Sequence, residues 1–184
     1  MNQIYVDTVR LLLAIASSVF ESKNFALKGG TALNLFVQDM PRLSVDIDVV
    51  FTDWNLDRNA ALAAIAVALA QVQAALQARG YRATPLRSRL GDEVKLMVTS
   101  DLASVKVEVN FVFRGTVLPV VQMPLALAAR SLFATGVTLP VLDTLSYCAG
   151  RRGRNCCCYC NNIVDKCLLI ATYFRHEPPF PFNT

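Results

Sequence analysis

Up to residue 147 this 184-residue chain contains no cysteine; all six (Cys148, Cys156, Cys157, Cys158, Cys160 and Cys167) follow. A disulfide framework for the main body is therefore excluded, and an even scaffold of cysteine pairs is not expected in a cytosolic protein. Histidine is almost absent too. The sole one, His176, has no partner at zinc-ligand spacing, and three adjacent cysteines converge poorly on a tetrahedral ion. Long apolar runs are also missing. The longest, 60–70, is too short and too alanine-rich to cross a bilayer, and Asp7 and Arg10 interrupt the early apolar stretch where a secretory signal would lie. There is no internal repeat. The expectation is a soluble, cytoplasmic protein without a membrane partner.

What is present suits one ordinary globular domain. The chain is 54% hydrophobic, enough for a sizeable core, and carries a net charge of +4. Mild basicity is compatible with an anionic partner such as RNA or a nucleotide, without requiring one.

Apolar periodicity predicts a helix over 3–20 and a short apolar entry, 25–27, into Gly29-Gly30. Thr31 reads as the N-cap of a helix through Val37, and Pro41 ends that region. Residues 44–51 read as a strand. A long helix follows, capped by Asp57 and stopped at Gly80. Two strands, 93–99 and 104–113, are joined by a turn at Ser100-Asp101. In the second, Val105, Val107, Val109, Phe111 and Phe113 share one face and Lys106, Glu108 and Asn110 the other. A weaker strand over 116–121, a helix over 124–133 and a further helix after 139–142 complete an α+β domain with a small mixed sheet.

The chemistry concentrates in "LKGGTALNLFVQDMPRLSVDID", residues 27–48. Alternation on a strand puts Asp46 and Asp48 on one face. Two carboxylates so close repel unless a cation sits between them, and Mg²⁺ favours a few carboxylate oxygens plus substrate phosphates. Glu108, on the polar face of a neighbouring strand, is the candidate third carboxylate. Lys106 on that face either neutralises charge or meets a phosphate. Gly29, Gly30 and Thr31 at a helix start offer N–H groups to a phosphate, with Lys28 adjoining. Each feature has a plainer reading: a solvated acidic pair, an ordinary glycine turn, a surface cross-strand pair, and loop chemistry for Arg42 and Ser44. Together, and in this order, they favour a phosphate-handling metal site.

The grouping resembles the minimal nucleotidyltransferase superfamily. More narrowly, "LKGGTALNLF" followed by "RLSVDIDVVF" is similar to the AbiEii/AbiGii toxin family, which includes the MenT-like toxins, over about residues 24–145. The resemblance implies a nucleotidyltransferase-like fold and a toxin of a toxin–antitoxin system. It also implies Mg²⁺-dependent transfer of nucleotides from an NTP to RNA, at the tRNA 3′ end, with a cognate antitoxin as partner. In that scheme Asp46, Asp48 and Glu108 hold metal, or Glu108 acts as general base. Lys28, Lys106, Gly29, Gly30, Thr31, Arg42 and Ser44 serve the nucleotide. The rivals are a non-catalytic remnant that binds nucleotide or antitoxin at most, and a small-molecule nucleotidyltransferase of the antibiotic-modifying kind. After "LPVLDTL" the chain departs from the family pattern, which continues into a lysine-bearing helix and an Arg-Asp-x-x-Asp-like segment. Here "SYCAGRRGRNCCCYCNNIVDKC" follows. The expectation is a domain over 1–145 and an atypical Cys/Arg-rich tail over 146–184, from a frameshifted or truncated reading frame.

Overall fold

The computed structural model describes residues 3–40, 43–87, 93–112, 114–116 and 118–143. Arg42, the tail and its cysteines lie outside the described residues.

Helix α1 (Gln3–Val19) buries Val9, Leu12, Ile15, Ala16 and Val19, the spacing of one helical face. It leads into β1 (Phe25–Lys28), a strand where the apolar pattern alone predicts only a short entry to the glycine pair. Its Phe25, Ala26 and Leu27 are all buried, so no polar alternation marks it as a strand. Helix α2 (Gly29–Ala32) follows without a break and continues as a π-helical turn, Leu33–Val37. The helix thus starts two residues before Thr31, and Lys28, not Thr31, occupies the N-cap position.

Strand β2 (Ile47–Phe51) is shorter than its predicted span, and Asp46 stands just before it. Helix α3 (Arg58–Ala78) begins as read. Asp57 accepts a hydrogen bond from the Ala60 N–H at 2.8 Å. At its other end Gly80 takes a φ of +86°, and the Tyr81 N–H reaches back to the Leu76 carbonyl. By length and composition α3 could cross a membrane. It buries Ala61, Ile65, Ala68, Leu69, Val72 and Leu76 as one stripe within the core, the placement of a core helix. Arg79 ties it to α1, donating to Ser18 Oγ and the Ala14 carbonyl, both at 2.8 Å.

The remaining elements are β3 (Arg82–Arg87), β4 (Glu93–Thr99), β5 (Ser104–Asn110), β6 (Val121–Pro124), α4 (Leu127–Phe133) and β7 (Thr138–Val141). Four strand expectations need correction. β3 was missed because Pro85 argues against a strand; it is an edge strand, where a lost N–H is tolerated. β5 ends at Asn110. The weak strand expected at 116–121 forms at 121–124 instead. Residues 138–141, read as a helix approach, form β7 despite Pro140. The sheet is accordingly larger than expected: seven strands, mixed, in the order β3-β4-β5-β2-β1-β7-β6.

One face of this sheet is the core. Leu27, Ile47, Val49, Leu96, Val98, Val105, Val107 and Val109 point to it, and buried residues of all four described helices join the same cluster. Phe25 and Phe51, opposite each other on β1 and β2, meet edge-to-face with centroids 6.4 Å apart. Such a pair contributes roughly 0.5–1.5 kcal/mol beyond its burial. With the described helices all on that side, the opposite face is open at its β2–β5–β4 end. It carries the polar residues.

Candidate functional site

Register assembles the site. Asp48 on β2 has Lys28 as its antiparallel partner on β1 and Glu108 as its parallel partner on β5. Glu108 in turn faces Lys95 on β4. One transverse row therefore reads Lys95, Glu108, Asp48, Lys28 across four adjacent strands, all on the open face. Two residues along, Lys106 lies beside Asp46, with its Nζ 3.9 Å from Oδ2. The structure thus brings Asp46, Asp48, Glu108, Lys28 and Lys106 together, and adds Lys95.

The charges are strongly coupled. Lys95 Nζ is 3.1 Å from Glu108 Oε1, and Lys106 Nζ is 3.2 Å from Oε2, so two ammonium groups clasp one carboxylate. Burial works against ionisation of Glu108, but the hydrogen bonds from Lys95 and Lys106 outweigh it and hold its pKa below the usual range. The hydrogen bond to Glu108 raises Lys106, against a smaller desolvation effect. Asp48 moves the other way. Burial pushes its carboxyl up, repulsion from Asp46 and Glu108 adds to this, and the charges of Lys28 and Lys106 offset only part.

Gly29 explains how Asp48 fits. Its φ is +80°, and a Cβ placed there would stand 2.9 Å from both Cβ and Cγ of Asp48 while overlapping Oδ2. Glycine is required twice, for the left-handed backbone and for the carboxylate lying against it. Asn34 donates from Nδ2 to the Gly30 carbonyl at 2.7 Å and steadies the same turn. Thr31 is fully buried. Its hydroxyl contacts Ser44 Oγ at 2.9 Å and the Asp46 carbonyl. Its side chain therefore buttresses the approach to Asp46 rather than facing a phosphate, and Ser44 shares that buttress.

The donor set fits a hard cation through the two aspartates, whose mutual repulsion and partial burial favour a positive partner. Glu108 is on the same face but is committed to the lysines. Among the described residues, no three His, Cys, Asp or Glu side chains stand as a ready-made metal cluster. A cavity of about 460 Å³ opens elsewhere, between the end of α1 and β6–β7, lined by Phe20, Glu21, Lys23, Gln122 and Pro140 among others. No candidate site residue lines it; the candidate residues stand on the open sheet face instead.

With a glycine turn abutting an Asp-x-Asp pair and a carboxylate on the adjacent parallel strand, the geometry can be set beside known proteins. The sequence model of the family described as "Nucleotidyl transferase AbiEii toxin, Type IV TA system" matches residues 10–150. The chain belongs to the AbiEii family. Its fold is similar to that of MenT4, a nucleotidyltransferase toxin from Mycobacterium tuberculosis H37Rv. The two share 21% identity with a TM-score of 0.53, covering 80% of this chain and 50% of that one. The AbiEii chain described here thus spans about half the length of that toxin. No curated protein matches it by sequence.

Sequence reasoning missed Lys95, although a signal existed. Thr99 and Ser104 close the β4–β5 hairpin, and counting back from that pair sets Lys95 opposite Glu108.

Proposed function

We propose that this AbiEii-family chain transfers a nucleotide from an NTP to the 3′ end of RNA, with tRNA as the acceptor, in the cytoplasm and under control of a cognate antitoxin. The observation that supports this most directly is Asp48. It lies against Gly29, between Lys28 on one side and Glu108 on the other. Asp46 and Asp48 would hold Mg²⁺, and Glu108, paired with its lysines, would act as general base rather than as a third donor. When bound, that ion supplies charge neutralisation at the reacting phosphate. Backbone N–H groups at the Gly29-Gly30-Thr31 turn and the Lys28 ammonium orient the triphosphate. The acceptor 3′ oxygen forms a bond to the α-phosphorus, the α–β phosphoanhydride bond breaks, and pyrophosphate leaves with the electron pair. Glu108 receives the hydroxyl proton once its lysines turn towards phosphate. Lys106 is placed to make that exchange, and Arg42 belongs to the same proposed set.

The test is calorimetric. In Asp46→Ala/Asp48→Ala, Mg²⁺–NTP binding should vanish while the fold persists, because both side chains stand on a polar face. Unchanged affinity in the double variant would sink the reading.

A second reading is favoured by composition. In it, residues 1–145 are taken as the nucleotidyltransferase-like domain and 146–184 as a tail, on the strength of the Cys- and Arg-rich composition that sets in there. In this reading the chain is a non-catalytic remnant that binds nucleotide or antitoxin at most. Growth arrest and labelled-nucleotide transfer to tRNA, compared between this chain and one with the frame restored after Leu145, separate the two. Equal activity would eliminate the remnant.

A further inference from the structure

The open face does not end at Glu108. Beyond β5 it continues onto β4 and β3, where side chains facing the same way follow from the register. Leu86 pairs with Lys95, Thr84 with Met97, and Arg82 with Thr99. Thr99 Oγ1 and Ser104 Oγ, 3.1 Å apart, show that these side chains share one side. Ala83, Leu96 and Val98 are buried on the other. Among the described side chains this flank carries two cations, Lys95 and Arg82.

The two sides of the site therefore differ. On the β1 side stand Lys28 and the glycine turn. On the β4 side stand Lys95 and, farther along, Arg82. Glu108 separates them, and it already has Lys106 as a cationic partner at 3.2 Å. Lys95 is thus a second cation on Glu108, whose other partner Lys106 also serves Asp46 at 3.9 Å, and it is the one of the two that stands on the β3 side of the row. Strands lie about 4.8 Å apart, so the Lys95 Cα stands about 10 Å from that of Asp48 and about 14 Å from that of Lys28. That is too far to serve the phosphates held at the glycine turn, and near enough to hold the chain whose hydroxyl meets Glu108.

We propose that Lys95, backed by Arg82, binds the phosphodiester backbone of the acceptor RNA, so that the acceptor strand runs over the β4–β3 flank while the NTP occupies the β1 side. This rests on the proposed function for the identity of the acceptor. A backbone contact of this kind fixes the position of the strand without reading its sequence. It also lifts one ammonium from Glu108 as the RNA arrives.

The experiment uses the full chain and a 5′-fluorescein single-stranded RNA oligonucleotide with a free 3′ hydroxyl. Anisotropy is read without nucleotide or divalent metal over a salt series, beside calorimetry of Mg²⁺–NTP binding. Lys95→Gln should weaken RNA binding roughly 3- to 10-fold and reduce the steepness of the log K against log salt plot by about 0.7, one phosphate contact on a single strand. Arg82→Ala should act in the same direction. Lys95→Arg should restore the slope, and NTP affinity should stay within about twofold in all three. Lys95→Gln that leaves RNA affinity and slope unchanged overturns the inference, and so does one that weakens NTP instead. Thermal unfolding identifies a variant that fails to fold, in which case Arg82→Ala, three strands from Asp48, carries the test. Failure of the wild-type chain to bind Mg²⁺–NTP is a separate result. It overturns the proposed function and leaves the RNA series to judge Lys95 alone.

Discussion

Gly29→Ala perturbs the close approach of Asp48 to the glycine turn. Two costs arise together. The backbone φ of +80° lies in the left-handed region, where alanine costs about 1–2 kcal/mol. The new methyl also stands 2.9 Å from Asp48 Cβ and Cγ, and relieving such overpacking costs about 1–3 kcal/mol. Restricting the unfolded chain returns about 0.4–1 kcal/mol. The net is a destabilisation of about 1–4.6 kcal/mol, centred near 3, or roughly 2–18 °C in Tm for a domain of this size. Because the carboxylate must move, Mg²⁺–NTP affinity should also fall, by about 10- to 100-fold if Asp48 holds the ion. Urea unfolding of Gly29→Ala in the parent and in an Asp48→Gly background separates the two costs. Without the carboxylate only the backbone penalty remains, so the cycle should show a coupling of at least about 1 kcal/mol. A coupling within about 0.5 kcal/mol of zero, the scatter of independent sites, refutes the claim that Gly29 is required by Asp48.

Thr31→Val keeps the shape of a buried side chain but leaves the Asp46 carbonyl and Ser44 without their hydroxyl partner; the urea midpoint should report a loss of about 1–3 kcal/mol, and Mg²⁺–NTP affinity should drop with it. pH-dependent stability should separate two neighbouring carboxyls. Asp48, raised in the folded state, binds more protons folded than unfolded, so its contribution falls as pH rises through and above the usual carboxylate range, and Asp48→Asn should flatten that fall and stabilise the protein at neutral pH. Glu108, lowered by its lysines, contributes stability present above its unfolded pKa and lost as pH falls through the depressed value; Glu108→Gln should remove that acid-side loss in urea titrations across the range. Arg79→Ala removes both ties between the end of α3 and α1, and should cost about 1–3 kcal/mol by chemical denaturation with no effect on Mg²⁺–NTP binding.

The legible parts of this molecule are those in which local chemistry and final structure coincide. Helix α3 could be read from Asp57 to Gly80 because a cap and a left-handed stop are properties of single residues. The alternation of β5 could be read because one face is buried and the other open. β1 and β7 could not, for opposite reasons. β1 is buried on both sides, so it shows no period, and Pro140 makes β7 look like a break. Their pairing is a tertiary event, Leu27 meeting Val141 across more than a hundred residues. β3 fell to the same proline argument, and its edge position is what permits Pro85.

The site divides in the same way. Asp46, Asp48 and Glu108 could be named from residue type and spacing, and parallel pairing of β2 with β5 brings Asp48 and Glu108 side by side. What spacing could not supply is the charge balance. Lys28 and Lys106 could be read beside the three carboxylates, but the folded face adds Lys95 opposite Glu108 and so sets three lysines among three carboxylates. A balanced face neither repels a polyanion nor holds one strongly until its internal pairs exchange. The ion pairs at 3.1 and 3.2 Å are then the resting arrangement of a surface whose lysines have two uses. In the free protein they hold Glu108 down, and in the proposed function they turn to the stronger anion when phosphates arrive. On this view the barrier to binding is the breaking of half-exposed salt bridges, each worth about 1 kcal/mol or less, so the exchange is energetically easy. The asymmetry of Asp48 follows from the same layout. Glu108 is clasped by Lys95 and Lys106, whereas Asp48 has Lys28 beside it, lies against a glycine, and is pushed up by burial that Lys28 and Lys106 offset only in part.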